Sequence, residues 1–125
     1  MDIYMKLFNL ILLVLLFSSI IFSQEDPYKP VADEMPSPVG GYESLYKKIV
    51  YPEIARNNSI EGKVYLLVYI SESGNVDDIK IVKGIGGGCD KAAEDAIRKT
   101  KFIPGKSQGQ AIKVKLTIPV TFKIK

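Results

Sequence analysis

The sequence predicts an α+β domain of two layers, a three-stranded antiparallel sheet with two helices on one face. Three observations predict it. From Ile112 to Lys125 every even position is apolar and the odd ones are Lys, Thr or Pro, the period of a strand with one buried and one wet face. Lys63–Ile70 alternates as well, and Val76–Lys83 follows after Ser71-Glu72-Ser73-Gly74-Asn75. Residues 63–83 therefore read as a β-hairpin whose loop glycine supplies a positive φ. Finally, Asp90 precedes Ala93, Ala96, Ile97 and Thr100, a stripe of small side chains on a helix that Asp90 is expected to N-cap and that can lie close on a sheet.

The remaining elements follow in chain order. Leu7–Phe22 is a mostly apolar run of 16 residues between Lys6 and the acidic Glu25-Asp26. As a helix it is roughly 24 Å long, short of the ~30 Å hydrocarbon core. Residues 1–23 read as a secretory signal peptide cut after Ser23, with an uncleaved inner-membrane anchor as the alternative. Residues 24–41 hold four of the seven prolines. Their acidic, apolar-poor composition reads as an extended tether reaching about 56 Å at most. The folded domain spans 42–125. In it Pro52 opens a short helix to Asn57, with Asn57-Asn58 suited to a left-handed end. Tyr65 and Tyr69 give the second face of their strand an apolar character, and cover by a helix or the tether is favoured over a base-stacking platform.

Composition removes several classes of function. A net charge of +3 is too mild to argue for nucleic acid. With no histidine and a single cysteine, Cys89, neither a Ser-His-Asp nor a Cys-His arrangement nor an ordinary zinc site can be built. No catalytic residue, metal or cofactor is expected, and the chain is not read as an enzyme. Gly84, Gly86, Gly87 and Gly88 lie between a strand and a helix, yet they complete neither a dinucleotide fingerprint nor a P-loop. The Asp90 carboxylate would also stand where a phosphate should bind, so the glycines read as a tight crossover. Charge is uneven: 24–43 carries five acids against Lys29, whereas after Asp95 there are eight Lys/Arg and no acid. A partner of the C-terminal part should be neutral or acidic.

The order and spacing of several short pieces resemble a known family. Tyr51-Pro52-x-x-Ala55-Arg56 comes first, then Glu61-Gly62-Lys63-Val64, Gly74-x-Val76, Val82-x-Gly84 and Cys89-Asp90-x-Ala92-Ala93. Lys101-Phe102-x-Pro104, Gly109-Gln110 and Pro119-Val120-Thr121-Phe122 complete the series. Over about residues 40–124 the chain is similar to the C-terminal domain of TonB proteins. The resemblance implies a periplasmic domain that pairs an edge strand with the TonB box of an outer-membrane TonB-dependent receptor, in support of transport. Tyr51, Pro52, Ala55, Arg56, Gly62, Gly74, Asp90, Ala93, Phe102, Pro104, Pro119 and Phe122 would be its structural positions. Full-length TonB proteins carry an N-terminal helix with a histidine that engages an ExbB-ExbD motor, followed by a long proline-rich span. Here the histidine is missing and the span is short, so a motor contact stays open and energy transduction by this chain alone is not expected.

The residues support the pairing chemistry independently. Pro119 has no N–H for a ladder, which suits a sheet edge, and an open edge offers main-chain groups to an extended peptide. The stretch expected to pair is Lys113, Val114, Lys115, Leu116 and Thr117. Lys113 and Lys115 can attract an acidic segment or guard against edge-to-edge aggregation, and one lysine can do both. The second reading of the same edge is a self-assembling exported domain that forms a homodimer through it.

Overall fold

The computed structural model describes the backbone of residues 2–21 and 25–125, and the side chains of 2–15 and 25–125. The expected cut after Ser23 lies outside the described residues. The first element, helix α1 (Asp2–Ile21), exposes its apolar side chains where they are described. Among the described residues no helix is long and apolar enough to cross a membrane.

The domain follows as β1 (Ser37–Pro38), α2 (Gly41–Lys47), α3 (Glu53–Asn57), β2 (Gly62–Ile70), β3 (Val76–Lys83), α4 (Cys89–Arg98), β4 (Phe102–Ile103), β5 (Gly105–Ser107), β6 (Gln110–Ile112) and β7 (Val114–Phe122). The main sheet has the order β3-β2-β7 and is antiparallel throughout. The even residues Val64, Leu66, Val68 and Ile70 of β2 and Ile118, Val120 and Phe122 of β7 are buried. Against them pack Leu45 of α2, Ala55 of α3, and Cys89, Ala93, Ala96 and Ile97 of α4, with Phe102 closing the cluster. The α+β class and the three-stranded sheet expected from sequence are those observed, and α2 is a further helix.

Local details depart from the expectations. The run 112–125 is not one strand. Its first residue, Ile112, ends β6 and pairs with β5, and the chain changes partner at Lys113 before β7 joins β2. Pro52 is the residue before the first turn of α3, and the left-handed residue after that helix is Ser59, not Asn57 or Asn58. The N-cap of α4 is Gly88, not Asp90. Asp90 sits in the first turn, where its Oδ1 accepts from the N–H groups of Ile85 at 2.9 Å and Gly86 at 3.4 Å. The carboxylate thus ties down the glycine crossover from within the helix.

Candidate functional site: the outer edge of strand β7

The family-motif positions build the frame on which β7 is held. Tyr51 meets Phe122 edge-on at 5.4 Å, Arg56 lies over the Tyr51 ring at 5.5 Å, and the Tyr51 hydroxyl donates to the Ile60 carbonyl. Ala55, Ala93 and Phe102 are buried in the core. Pro52 stands beside Gly88, Gly62 beside Ile85, and Pro104 beside Gly74. None of these faces the outer edge of β7; they fix its position from behind.

Pro119 does face that edge. The Lys113 carbonyl and the Lys115 N–H both bond to a residue on the side away from β2. Backbone groups alternate in direction along a strand, so Lys113, Lys115, Thr117 and Pro119 form the outward set. Pro119 therefore removes no ladder bond to β2, opposite whose Tyr65 it stands. Its carbonyl accepts from the Tyr46 hydroxyl of α2 at 3.3 Å, so the usable edge ends there.

At its other end the edge is not free, which corrects the open flank expected over 113–117. The proline-rich segment is laid along the domain. Lys29 donates to the Lys113 carbonyl at 2.9 Å and accepts from the Lys115 N–H at 3.0 Å, a parallel bridge centred on Val114. Asp26 reaches Lys115 Nζ at 2.7 Å. Tyr28 stands edge-on to Tyr69 at 5.0 Å, donates its hydroxyl to Asp77 at 2.5 Å, and lies 5.6 Å below Lys113 Nζ. This is the tether cover expected for Tyr69. Beyond Pro30 the segment leaves β7, bridges Lys106 through Glu34, and ends as β1 paired with β4. Lys115 C=O and Thr117 N–H, the next outward pair, receive no strand. Among the described residues no hydrogen bond beyond the β2 ladder reaches Thr117, and the cleft there is lined by Pro36, Tyr42, Leu67, Lys115 and Leu116.

Sequence reasoning missed Gly105. A Cβ built there would lie 2.5 Å from Val114 Cγ2, 3.1 Å from Pro36 and 3.3 Å from the Glu34 carbonyl, so only glycine lets the segment pass this close to β7. The readable signal was the glycine directly after Pro104, and close approach is one of the uses of glycine. The second edge of the sheet, β3, is protected differently: Asp78 Oδ1 accepts from the Ile79 N–H at 2.9 Å, and the register slips at both ends.

Electrostatics give the docked segment a pH window. The hydrogen bond to Lys115 holds the Asp26 carboxyl below its usual range, and the same contact raises Lys115. The hydrogen bond to Asp77, then burial and the nearby carboxylates, push the Tyr28 hydroxyl up to about 12. A raised pKa contributes stability below its unfolded value and loses it as pH climbs through the folded one. The Tyr28 contact therefore weakens above about pH 10 and is gone past about pH 12. A depressed carboxyl acts oppositely, and the Asp26 contribution fades as pH falls below the ordinary carboxylate range. Burial also raises Tyr42 and Tyr51, so near-ultraviolet titration should show several late tyrosines, of which the one near pH 12 disappears in Tyr28→Phe and titrates earlier in Asp77→Asn; a curve unchanged by Asp77→Asn would contradict the pairing.

Comparison with known proteins places this geometry. Residues 47–124 match the family described as Gram-negative bacterial TonB protein C-terminal. Protein tonB2 of Pseudomonas aeruginosa is 32% identical over 75 residues, covering 59% of this chain and 28% of that protein. Protein TonB of Xanthomonas campestris pv. campestris is 33% identical over 75 residues, covering 59% and 34%. The chain thus spans about a third of the length of these relatives. Among solved structures, the Pseudomonas aeruginosa TonB CTD superposes with a TM-score of 0.51 at 27% identity, covering 82% of this chain and 92% of that one. The Helicobacter pylori TonB-CTD (residues 179–285) gives 0.55 at 30% identity, covering 67% and 77%. With the family matched over more than half its length, the chain belongs to the Gram-negative bacterial TonB C-terminal family.

Proposed function

We propose that this chain is an exported, periplasmic binding module that contacts outer-membrane TonB-dependent receptors by pairing the outer edge of β7 with an extended receptor segment, in support of receptor-mediated transport. The observation that carries the reading is the position of β7 at the rim of the sheet, with Lys115 C=O and Thr117 N–H directed outward and without a strand. Main-chain bonds of this kind give affinity, and the flanking side chains give selectivity. The lysines beside the edge favour an acidic segment. Self-pairing of two copies is the weaker reading, because it would bring two lysine-rich edges together and like charges across a strand pair destabilise it.

The test is an amide spectrum of the full chain titrated with synthetic TonB-box peptides. Signals of residues 112–118 should shift or broaden first. Thr117→Pro removes an outward N–H without touching the β2 ladder, as Pro119 already does two residues on, and should weaken binding by about fivefold, one lost main-chain bond being worth about 1 kcal/mol. Absence of any change in that strand with every such peptide would overturn the proposal.

A further inference from the structure

The segment on β7 is built like a ligand. Between bends at Pro27 and Pro30, Lys29 makes a two-bond parallel bridge to the strand edge, and the Tyr28 N–H donates to Asp26 Oδ1 at 2.9 Å. Its carboxylate at Asp26 meets Lys115, and its aromatic ring at Tyr28 fills the space between Tyr69 and Lys113. A seat has been cleared for it, since Gly105 admits Glu34 and Pro36 against Val114. The segment is anchored at its far end by Asp33 on Ser107 and Gln108, by the two-bond bridge of Glu34 with Lys106, by β1 on β4 and by the Val39 N–H on the Lys101 carbonyl, so residues 26–32 can swing off while the root stays.

We propose that residues 26–32 are an internal pseudo-ligand that masks β7, and that the surface beneath them selects peptides carrying a carboxylate two residues before an aromatic side chain. The inference deepens the strand-pairing function above and rests on it for the identity of the incoming partner. Its content is the order of side chains that Lys115, Lys113, Tyr69 and Asp77 recognise, and the requirement that a partner displace the segment. The carboxylate pairs with Lys115, and the ring stacks edge-on against Tyr69 with its polar tip on Asp77. The backbone after the ring pairs in parallel with Lys113–Lys115 and, where no proline diverts it, continues to Thr117. Pro30 turns the internal segment away at that point, so an external peptide gains one more bridge than the mask holds.

Because the mask is tethered, its effective concentration is high and it is re-formed after each opening. An external peptide then binds with an affinity reduced by the fraction of chains that are open. The experiment uses the full chain in nonionic detergent and a fluorescent synthetic peptide with the sequence of residues 25–34, EDPYKPVADE. The chain carrying Asp26→Asn and Tyr28→Ala, two changes outside the core, should bind this peptide on the order of tenfold more tightly than the unaltered chain. A peptide with the same two replacements should lose the binding. Equal affinity of the two chains, no binding to the altered chain, or undiminished binding of the replaced peptide would each overturn the mask. A TonB-box peptide separates the two readings. If it binds both chains equally, masking fails and receptor binding stands. If it binds neither while EDPYKPVADE binds the altered chain, receptor binding fails and the mask stands.

Discussion

Gly74→Ala should destabilise the domain by about 3 kcal/mol, read as a lower urea midpoint with an unchanged slope. Two effects add. Gly74 has φ +82°, and a side chain in the left-handed region costs ~1–2 kcal/mol. A Cβ there would also stand 1.9 Å from the Phe102 carbonyl oxygen. That atom belongs to backbone, not to a mobile side-chain end, so relief requires moving β4 away from the β2–β3 loop, an overpacking penalty of ~1–3 kcal/mol. The displacement would also break the hydrogen bond from the Phe102 N–H to the Gly74 carbonyl, now 2.9 Å. Gly86→Ala provides the comparison, because its φ is likewise positive but nothing lies within 4 Å of the added Cβ; it should lose only the conformational part. Equal losses at the two positions would show that the contact with β4 carries no energy.

That loop illustrates which parts of the fold could be read in advance. A positive φ at Gly74 follows from the loop sequence alone, because five polar residues joining two alternating strands need one reversed residue. The carbonyl pressing on it from β4 is separated by 28 residues, and no local pattern announces it. The same division holds elsewhere. β2, β3 and β7 were legible because alternation records which face is buried, and burial is what the core demands. The break at Lys113 was not, since the alternation of facing continues unbroken while the hydrogen-bonding partner changes from β5 to β2. Pleat and pairing are independent variables, and side-chain pattern reports only the first. Helix α2 has seven residues, starts after a left-handed Gly40 without a side-chain cap, and buries only Leu45, too little for a periodic signal. At Asp90 the chemistry was right and the recipient wrong: its carboxylate does satisfy orphan N–H groups, but they are those of the preceding loop, brought within reach by the fold of the glycines.

The candidate site shows the same limit at larger scale. Pro119 identified an edge strand, because a missing donor has one comfortable place in a sheet. The acidic, proline-rich composition of 24–41 showed that the segment cannot form a core by itself, yet it says nothing about whether another surface receives it. Reception here depends on Tyr69 and Lys115 being neighbours across β2 and β7, a tertiary fact. Opposite charge in the two halves of the chain was a visible hint, and Asp26 with Lys115 is its outcome.

Phe102→Ala should be the most damaging single truncation in the domain, with a loss of about 3–5 kcal/mol. Phe102 is 1% exposed and among the largest fully buried side chains, so its removal forfeits both transfer energy and packing around the void. Its neighbour Ile103, 51% exposed on the same short strand, is the control and should change stability by within about 0.5 kcal/mol when truncated. The consequence reaches the candidate site, because β4 is also the strand that holds β1: Phe102 is registered with Pro38 and Ile103 with Ser37. Loosening β4 loosens the root of the segment lying on β7. Hydrogen exchange should therefore speed up at Val39, whose N–H bonds the Lys101 carbonyl, and at Lys115, whose N–H is covered by Lys29, before it does at the Leu66 and Val68 amides in the central strand. Exchange that rises uniformly across all four amides would mean that the domain opens only as a whole and that β4 does not couple the core to the covered edge.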